Sequence, residues 1–228
     1  MTQFDRLVIT IDGAAGTGKS SVAHELATRL QVEYLDSGAM YRAVAVLSVQ
    51  NDIDPTDAET LANAVRETRV YFDWTASPPT IMLGDQDVSV RIRDLEISGV
   101  VSFVAKEPKI REVLMEQQRK IVDEHPRIVT EGRDQGSIVF PDATVHFFLT
   151  ANMEERTRRR VKQLQESGQS VEEAQVTADI KHRDHLDSTR KDGPLVCPDG
   201  AIVIDTSDRV MEEVVALMEE AVNLQLNA

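Results

Sequence analysis

An internal disulfide is excluded in this chain, because its 228 residues include a single cysteine, Cys197. One thiol without a partner fits a reducing compartment, and we read it as a packing or surface group. No apolar run reaches the roughly 20 residues that a membrane-spanning helix needs. The opening MTQFDRLV also lacks the layout of a secretory signal. A cytoplasmic protein that engages no membrane is therefore expected. Excess positive charge is missing as well: the formal net charge is −14, whereas a nucleic-acid surface needs clustered Lys and Arg. Internal repeats and low-complexity segments are absent, and His24, His125 and His146 have no metal-ligand spacing with cysteines or carboxylates. What remains is ordinary for one sizeable soluble core with room for a small inserted lobe, at 41% hydrophobic and 28% charged residues.

The most informative stretch is IDGAAGTGKSS, residues 11–21, directly after the apolar run Leu7-Val8-Ile9-Thr10-Ile11. Gly13, Gly18, Lys19 and Ser20 satisfy the spacing G-x-x-x-x-G-K-[ST] between a β-rich run and a helical pattern in which Val22, Ala23, Leu26, Ala27 and Leu30 share one face. Small residues let successive main-chain N–H groups turn inward around a polyphosphate, which then also sits at the positive end of the new helix. Gly13, Ala14, Ala15, Gly16, Thr17, Gly18, Lys19, Ser20 and Ser21 are therefore the expected nucleotide cradle. Lys19 is expected to hold the β and γ phosphates, and Ser20 to ligate Mg²⁺ carried by the nucleotide.

Five apolar, β-branched runs, at 6–12, 32–35, 127–131, 144–150 and 201–205, are each followed by a helical pattern. Such alternation predicts a P-loop NTPase-type α/β fold, a parallel five-stranded sheet flanked by helices. In such sheets ligands bind beyond the carboxyl ends of the strands. There the chain places Gly13 to Ser20, Asp36-Ser37-Gly38 and Glu131-Gly132-Arg133-Asp134. The runs RVYFDW and TIMLGDQDV, separated by the turn-rich TASPPT, break the alternation and predict a small antiparallel β insert over 66–93. Trp74 and Tyr71 in it are read as packing residues ahead of base-stacking ones. Helices are expected from Asp94 and from Pro108. MEERTRRRVKQLQESG and VEEAQVTADIKHRDHLDSTR, joined around Gly168, predict a polar helical hairpin with few residues to anchor it, suited to a mobile flap. The last helix should present Val210, Val214, Leu217 and Val222 to the core.

The arginines gather at 91 and 93, at 156, 158, 159 and 160, and at 183 and 190. Either they converge on a small anionic ligand or they line solvated helix faces, and for the 156–160 cluster the two readings balance. The chain has no N-K-x-D and no D-x-x-G, the motifs expected of a GTPase with this loop, and no Ser-His-Asp set. A small phosphotransferase remains.

Read together, IDGAAGTGKSS, LDSGAMYRAVA, GDQDVSVRIR, TEGRDQGSIVFPDA, IKHRDHLDSTR and IDTS resemble bacterial cytidylate kinase, a family of P-loop nucleoside monophosphate kinases, over residues 6–222. Ala14 stands where many members have proline. The resemblance implies a transferase that phosphorylates CMP and dCMP from ATP with Mg²⁺, in pyrimidine nucleotide metabolism. It also implies a core kinase domain over 1–65 and 94–228, a lid at about 161–192 and a nucleotide-binding lobe at 66–93. Substrate contacts implied by it are Ser37, Tyr41, Arg42, Ser102, Arg111, Arg133, Asp134, Arg183, Asp187 and Arg190. Lys19, Arg133, Arg183 and Arg190 are implied to be catalytic. By analogy to related kinases, Arg156 and Arg160 reach the ATP phosphates. Asp205-Thr206-Ser207 either lets backbone groups touch the adenine or forms a plain turn.

The residue types suit that chemistry. Cytosine offers an amino donor beside two acceptors, so Asp134 facing the amine, with Arg111 facing the acceptors and Ser102 assisting, would read its edge and disfavour UMP. Guanidinium groups bind phosphate oxygens in pairs, which fits Arg42, Arg133 and Arg190. Asp187, one turn after Arg183, could accept from a ribose hydroxyl. A different P-loop small-molecule kinase, for instance one with a shikimate-like acceptor, shares the loop but leaves Ser102, Arg111 and Asp134 unexplained. A non-catalytic nucleotide-binding regulator is the third reading. Nothing demands a dimer, and a monomer is expected.

Overall fold

The computed structural model describes residues 6–166 and 168–227. Met1–Asp5 of the opening segment, Ser167 of the expected lid and Ala228 lie outside the described residues. The chain divides into two compact units, one formed by Met1–Glu33 with Pro126–Ala228 and one by Tyr34–His125.

In the first unit, β1 (Leu7–Gly13) is followed by α1 (Lys19–Leu30), and β2 (Glu33–Asp36) begins at its last residue. The chain re-enters the unit with β6 (Arg127–Gly132), β7 (Val145–Thr150), α6 (Met153–Glu166), α7 (Glu173–Thr189), β8 (Ile202–Asp205) and α8 (Met211–Leu226). The intervening unit holds α2 (Ser37–Gln50), α3 (Ala58–Thr68), β3 (Val70–Asp73), β4 (Thr80–Leu83), β5 (Gln86–Asp87), α4 (Leu95–Val104) and α5 (Pro108–Glu124).

The five-stranded sheet has the order β2-β6-β1-β7-β8, and β1 pairs in parallel with β6 and β7, as β7 does with β8. Every residue of β1 is buried. A strand covered on both faces reads as an uninterrupted apolar run, which is why LVITI was legible as one. Ile9 stands opposite Val129 on one side and Val145 on the other. Leu26 of α1, Phe147 of β7 and Met218 of α8 complete this core. Each of the five strands ends within one residue of its expected limits.

In α8 the apolar face differs from the expected one. Val214, Val215, Met218 and Val222 are buried, whereas Val210 is 60% and Leu217 40% exposed. At 100° per residue the buried four cluster within about one-third of a turn, and Val210 and Leu217 fall beyond one edge of that arc. The α6–α7 hairpin packs its two helices on each other. Leu164, Val176 and Ile180 form a small buried cluster of their own, with Met153, Val161 and Val171 packed against it.

In the second unit α2 is buried along most of its length, from Ala39 through Ser48, as expected of a helix that is apolar on nearly all sides. The three-stranded antiparallel sheet β3-β4-β5 buries Val70, Phe72, Ile81 and Leu83. The compact unit around it is wider than residues 66–93, because α2 packs on β3 and β4. Trp74 stacks on His125, with ring centroids 4.3 Å apart.

Candidate active site

The phosphate-type loop hangs between β1 and α1 by contacts that leave little freedom. Gly13 has φ +152°, and a Cβ there would come 2.3 Å from the Leu149 carbonyl oxygen of β7, so only glycine fits. Gly18 caps α1 in a left-handed conformation. The Ala14 carbonyl accepts from Lys19 Nζ at 2.8 Å and from Thr17 Oγ1 at 3.0 Å. Burial, with Arg133 nearby, pushes the Lys19 amine down to about 7, while Glu131 and Asp12 pull the other way. Ser20 Oγ donates to Glu131 Oε1 at 2.6 Å. Ser21 follows on the exposed side of α1.

At the end of β6 a second constellation forms from β6, the turn after it and α7. Arg133 Nε donates to Asp187 Oδ2 at 2.8 Å, and its Nη1 donates to the Gly132 carbonyl. Arg183 Nε stands 3.9 Å from the same Asp187 oxygen, and Arg190 Nη2 stands 3.8 Å from Asp134 Oδ2. Arg190 Nε also donates to the Gly193 carbonyl. Burial works against the charge on Arg133, yet Asp187 and Glu131 hold its pKa above the usual arginine value. Burial likewise opposes the Asp187 carboxylate, and Arg133, Arg183 and Arg190 hold its pKa below the ordinary range. Asp187 and Asp134 thus hold three guanidiniums together in one partly buried cluster, the donor type that binds phosphate oxygens in pairs.

Arg156 and Arg159, on one face of α6, bear on the loop. Arg156 Nε donates to the Ala15 carbonyl at 2.6 Å, and its Nη2 pairs with Asp184 of α7 at 2.7 Å. Arg159 donates to the carbonyl and hydroxyl of Thr206, whose hydroxyl donates in turn to the Thr17 carbonyl at 3.0 Å. Arg160 instead donates to Gln163 at 2.7 Å, and burial lowers its pKa, with Asp179 opposing. The loop and the Arg133, Asp134, Arg183, Asp187, Arg190 and Arg156 groups all belong to the first unit.

The other expected contacts belong to the second unit. Ser37, 3% exposed, opens α2 behind the Asp36 N-cap, whose carboxylate accepts from Ala39 N at 3.0 Å. Arg111 of α5 donates to the Tyr41 hydroxyl at 3.2 Å and lies over its ring. Arg42 Nη1 reaches the Ile92 carbonyl and Ser98 Oγ. Ser102 is half-buried in α4.

Sequence reasoning gave no role to Asp12, Glu131, Arg159 or Asp184. Asp12 was an acid closing an otherwise apolar strand, which is a readable signal. The others act through partners far along the chain.

A parallel sheet with a glycine-rich loop between its first strand and helix, beside a cluster of arginines paired with buried carboxylates, defines a P-loop phosphotransferase. The sequence model of the cytidylate kinase family matches residues 9–224. A cytidylate kinase from Caldanaerobacter subterraneus subsp. tengcongensis is 45% identical over 214 residues, covering 94% of this chain and 93% of that protein. Another, from Mycolicibacterium paratuberculosis, is 42% identical over 216 residues, covering 95% of each. The chain belongs to the cytidylate kinase family. A solved structure of an uncharacterized protein from Eubacterium ventriosum, 13% identical, shares the fold with a TM-score of 0.52 over 96% of this chain and 98% of that one.

Proposed function

We propose that this protein transfers the γ-phosphoryl group of ATP to CMP and dCMP. The observation that carries the reading is the cluster of Arg133, Arg183 and Arg190 held by Asp187 and Asp134, in the same unit as the phosphate loop and in a chain of this family. A shikimate-like acceptor and a non-catalytic regulator are disfavoured by 45% identity to a cytidylate kinase over nearly the whole chain.

The chemistry asked of these groups is positioning and charge neutralisation. The loop amides and Lys19 hold the ATP phosphates, with Arg156 at the loop and Arg160 further along α6, the helix that leads into the lid. Arg133, Arg183 and Arg190 neutralise the phosphoryl group in transfer. The attacking oxygen of CMP is already largely anionic at neutral pH, so no general base is required. Asp134 accepts from the cytosine amine, and Asp187 from a ribose hydroxyl. From the second unit, Arg111 and Ser102 are assigned to the base, and Ser37, Tyr41 and Arg42 to the rest of CMP. We read residues 66–93 as part of the nucleotide-monophosphate lobe and about 161–192 as the lid.

Among the described residues no group of three His, Cys, Asp or Glu is placed to share a metal ion. The hard-oxygen pair of Ser20 Oγ and Glu131 Oε1, 2.6 Å apart, does fit Mg²⁺ that is bound mainly through nucleotide phosphates. When bound there, Mg²⁺ would neutralise phosphate charge. No helix among the described residues is long and apolar enough to cross a membrane, and we read the protein as a cytoplasmic monomer. A coupled ADP-release assay across CMP, dCMP, UMP, AMP, GMP and dTMP tests the reading. Cytosine nucleotides should be used well ahead of the rest, and a preference for any other base overturns it.

A further inference from the structure

Asp12 is fully buried and is not among the substrate contacts assigned above. It is the residue before Gly13, so it sits where β1 passes into the phosphate loop. Its two oxygens are held by a different turn, with the Lys19 ammonium and the Asp134 carboxylate also near: Oδ1 accepts the Gln135 amide at 2.9 Å and Oδ2 the Gly136 amide at 2.7 Å.

Those amides open the π-helical turn Gln135–Val139, and the residue that leads into it is Asp134. The Asp134 carbonyl accepts from Ile138 N at 3.0 Å and Val139 N at 3.1 Å, so its main chain is fixed by the same turn. Gln135 Oε1 accepts the Thr130 hydroxyl of β6 at 2.6 Å, which ties the turn to the sheet from the other side. Gly136 is seated with no slack. A Cβ there would lie 2.7 Å from His146 Nδ1, 2.8 Å from Thr10 Oγ1 and 2.9 Å from Pro198 Cγ. The turn therefore cannot slide toward the strands, and the Asp12 carboxylate holds its first two amides.

We infer that Asp12 is a positioning residue for base discrimination, tying the turn that carries Asp134 to the strand that carries the phosphate loop. This deepens the CMP kinase reading and rests on it. An ionised carboxylate is the side chain for the task, because it accepts at both oxygens, whereas an amide of the same shape turns a donor toward one of the two N–H groups. Burial pushes the Asp12 pKa up to about 6, with the two amides opposing, so the double acceptor is present at neutral pH. A carboxylate that served the fold alone would, when neutralised, lower stability or reduce all activities together. A positioning carboxylate acts on the acceptor side selectively.

The test uses the full chain and the Asp12→Asn variant, with kcat/KM measured for CMP and UMP, KM for ATP, and a thermal midpoint. The variant should lose roughly 10- to 100-fold in kcat/KM for CMP and at least about fivefold in the CMP-to-UMP ratio, with the KM for ATP changed less than about twofold. An unchanged CMP-to-UMP ratio overturns the inference, including when both substrates fall together. If the unsubstituted protein does not use CMP, the functional reading itself has failed, and that outcome is seen before any variant is compared. If the variant does not fold, amide exchange of the unsubstituted protein decides. Gln135 and Gly136 should be protected at least about 100-fold and further slowed by CMP. Exchange near the free rate, or protection that CMP leaves unmoved, refutes it.

Discussion

Asp134 is 4% exposed and 3.8 Å from the Arg190 guanidinium. Asp134→Asn keeps the side chain's shape, removes its charge and places an amide donor near a cation. A mismatch of that kind at a buried polar contact costs about 1–3 kcal/mol, so kcat/KM for CMP should fall roughly 10- to 100-fold while ATP binding by calorimetry stays within about twofold. Equal damage to both ligands would misplace the residue. Arg190 closes α7, with its side chain held by Asp134 and the Gly193 carbonyl. Arg190→Ala should therefore lower kcat by roughly 100-fold or more, as loss of a preorganised transition-state donor does, and an unchanged kcat removes it from the site. Asp12 has a further consequence for stability. Its folded pKa of about 6 lies above its ordinary 3.8. The folded state therefore holds the proton over that interval while the unfolded state has lost it. The contribution of Asp12 to stability declines as pH rises from about 4 to about 6, by about 3 kcal/mol at most. Urea unfolding should show the stability of the unsubstituted protein, measured against Asp12→Asn, falling across that window. A constant difference contradicts the assignment.

Helices and strands were legible to different depths. The parallel strands were plain because each is a short apolar run: β1 is buried throughout, while β7 alternates buried and half-buried residues and β8 buries only Ile204; α5 was plain because Pro108 marks its first turn. In α8 the heptad spacing of Val210 and Leu217 was misleading, since an apolar residue at the margin of a helix face looks the same in sequence as one at its centre. Burial separates them: Met218→Ala should cost about 2–5 kcal/mol in denaturant unfolding, whereas Leu217→Gln should stay within about 0.5 kcal/mol. A large effect at Leu217 would restore the expected face. The helix α3 was not read at all, although Asp57 caps it by accepting from Thr60 N at 3.2 Å, and Leu61, Ala62 and Val65 form its buried side. The π-helical turn Gln135–Val139 leaves no periodic signature, because a single wide turn is set by what grips its amides.

For the whole molecule, what escaped the sequence is what depends on distant partners. Asp12 reaches Gly136 across 124 positions, Arg156 reaches Ala15 across 141, and Thr206 reaches Thr17 across 189. A motif reports its own spacing and cannot report these. Four arginines between 156 and 160 were visible, yet which of them bear on the loop is decided by how α6 lies against it. At 100° per residue Arg156 and Arg160 are neighbours on the helix surface, but Arg159 reaches Thr206 while Arg160 turns to Gln163.

The same scale sets how a nucleotide should act on the fold. A net charge of −14 opposes the approach of a polyanion, so binding has to come from local groups: loop amides, Lys19 and the arginines around them. A ligand that binds only the folded state at about 100 times its Kd adds about 2.7 kcal/mol of stability, which for a chain of this size is a thermal shift of roughly 5–10 °C. ATP should produce that shift in the unsubstituted protein. Lys19→Ala removes an amine that is 5% exposed and bonded to the Ala14 carbonyl. It should fold, because burying an ammonium is itself unfavourable, and it should lose most of the shift. If the variant keeps the full shift, the loop is not where ATP binds, and the nucleotide has to be sought elsewhere in the chain.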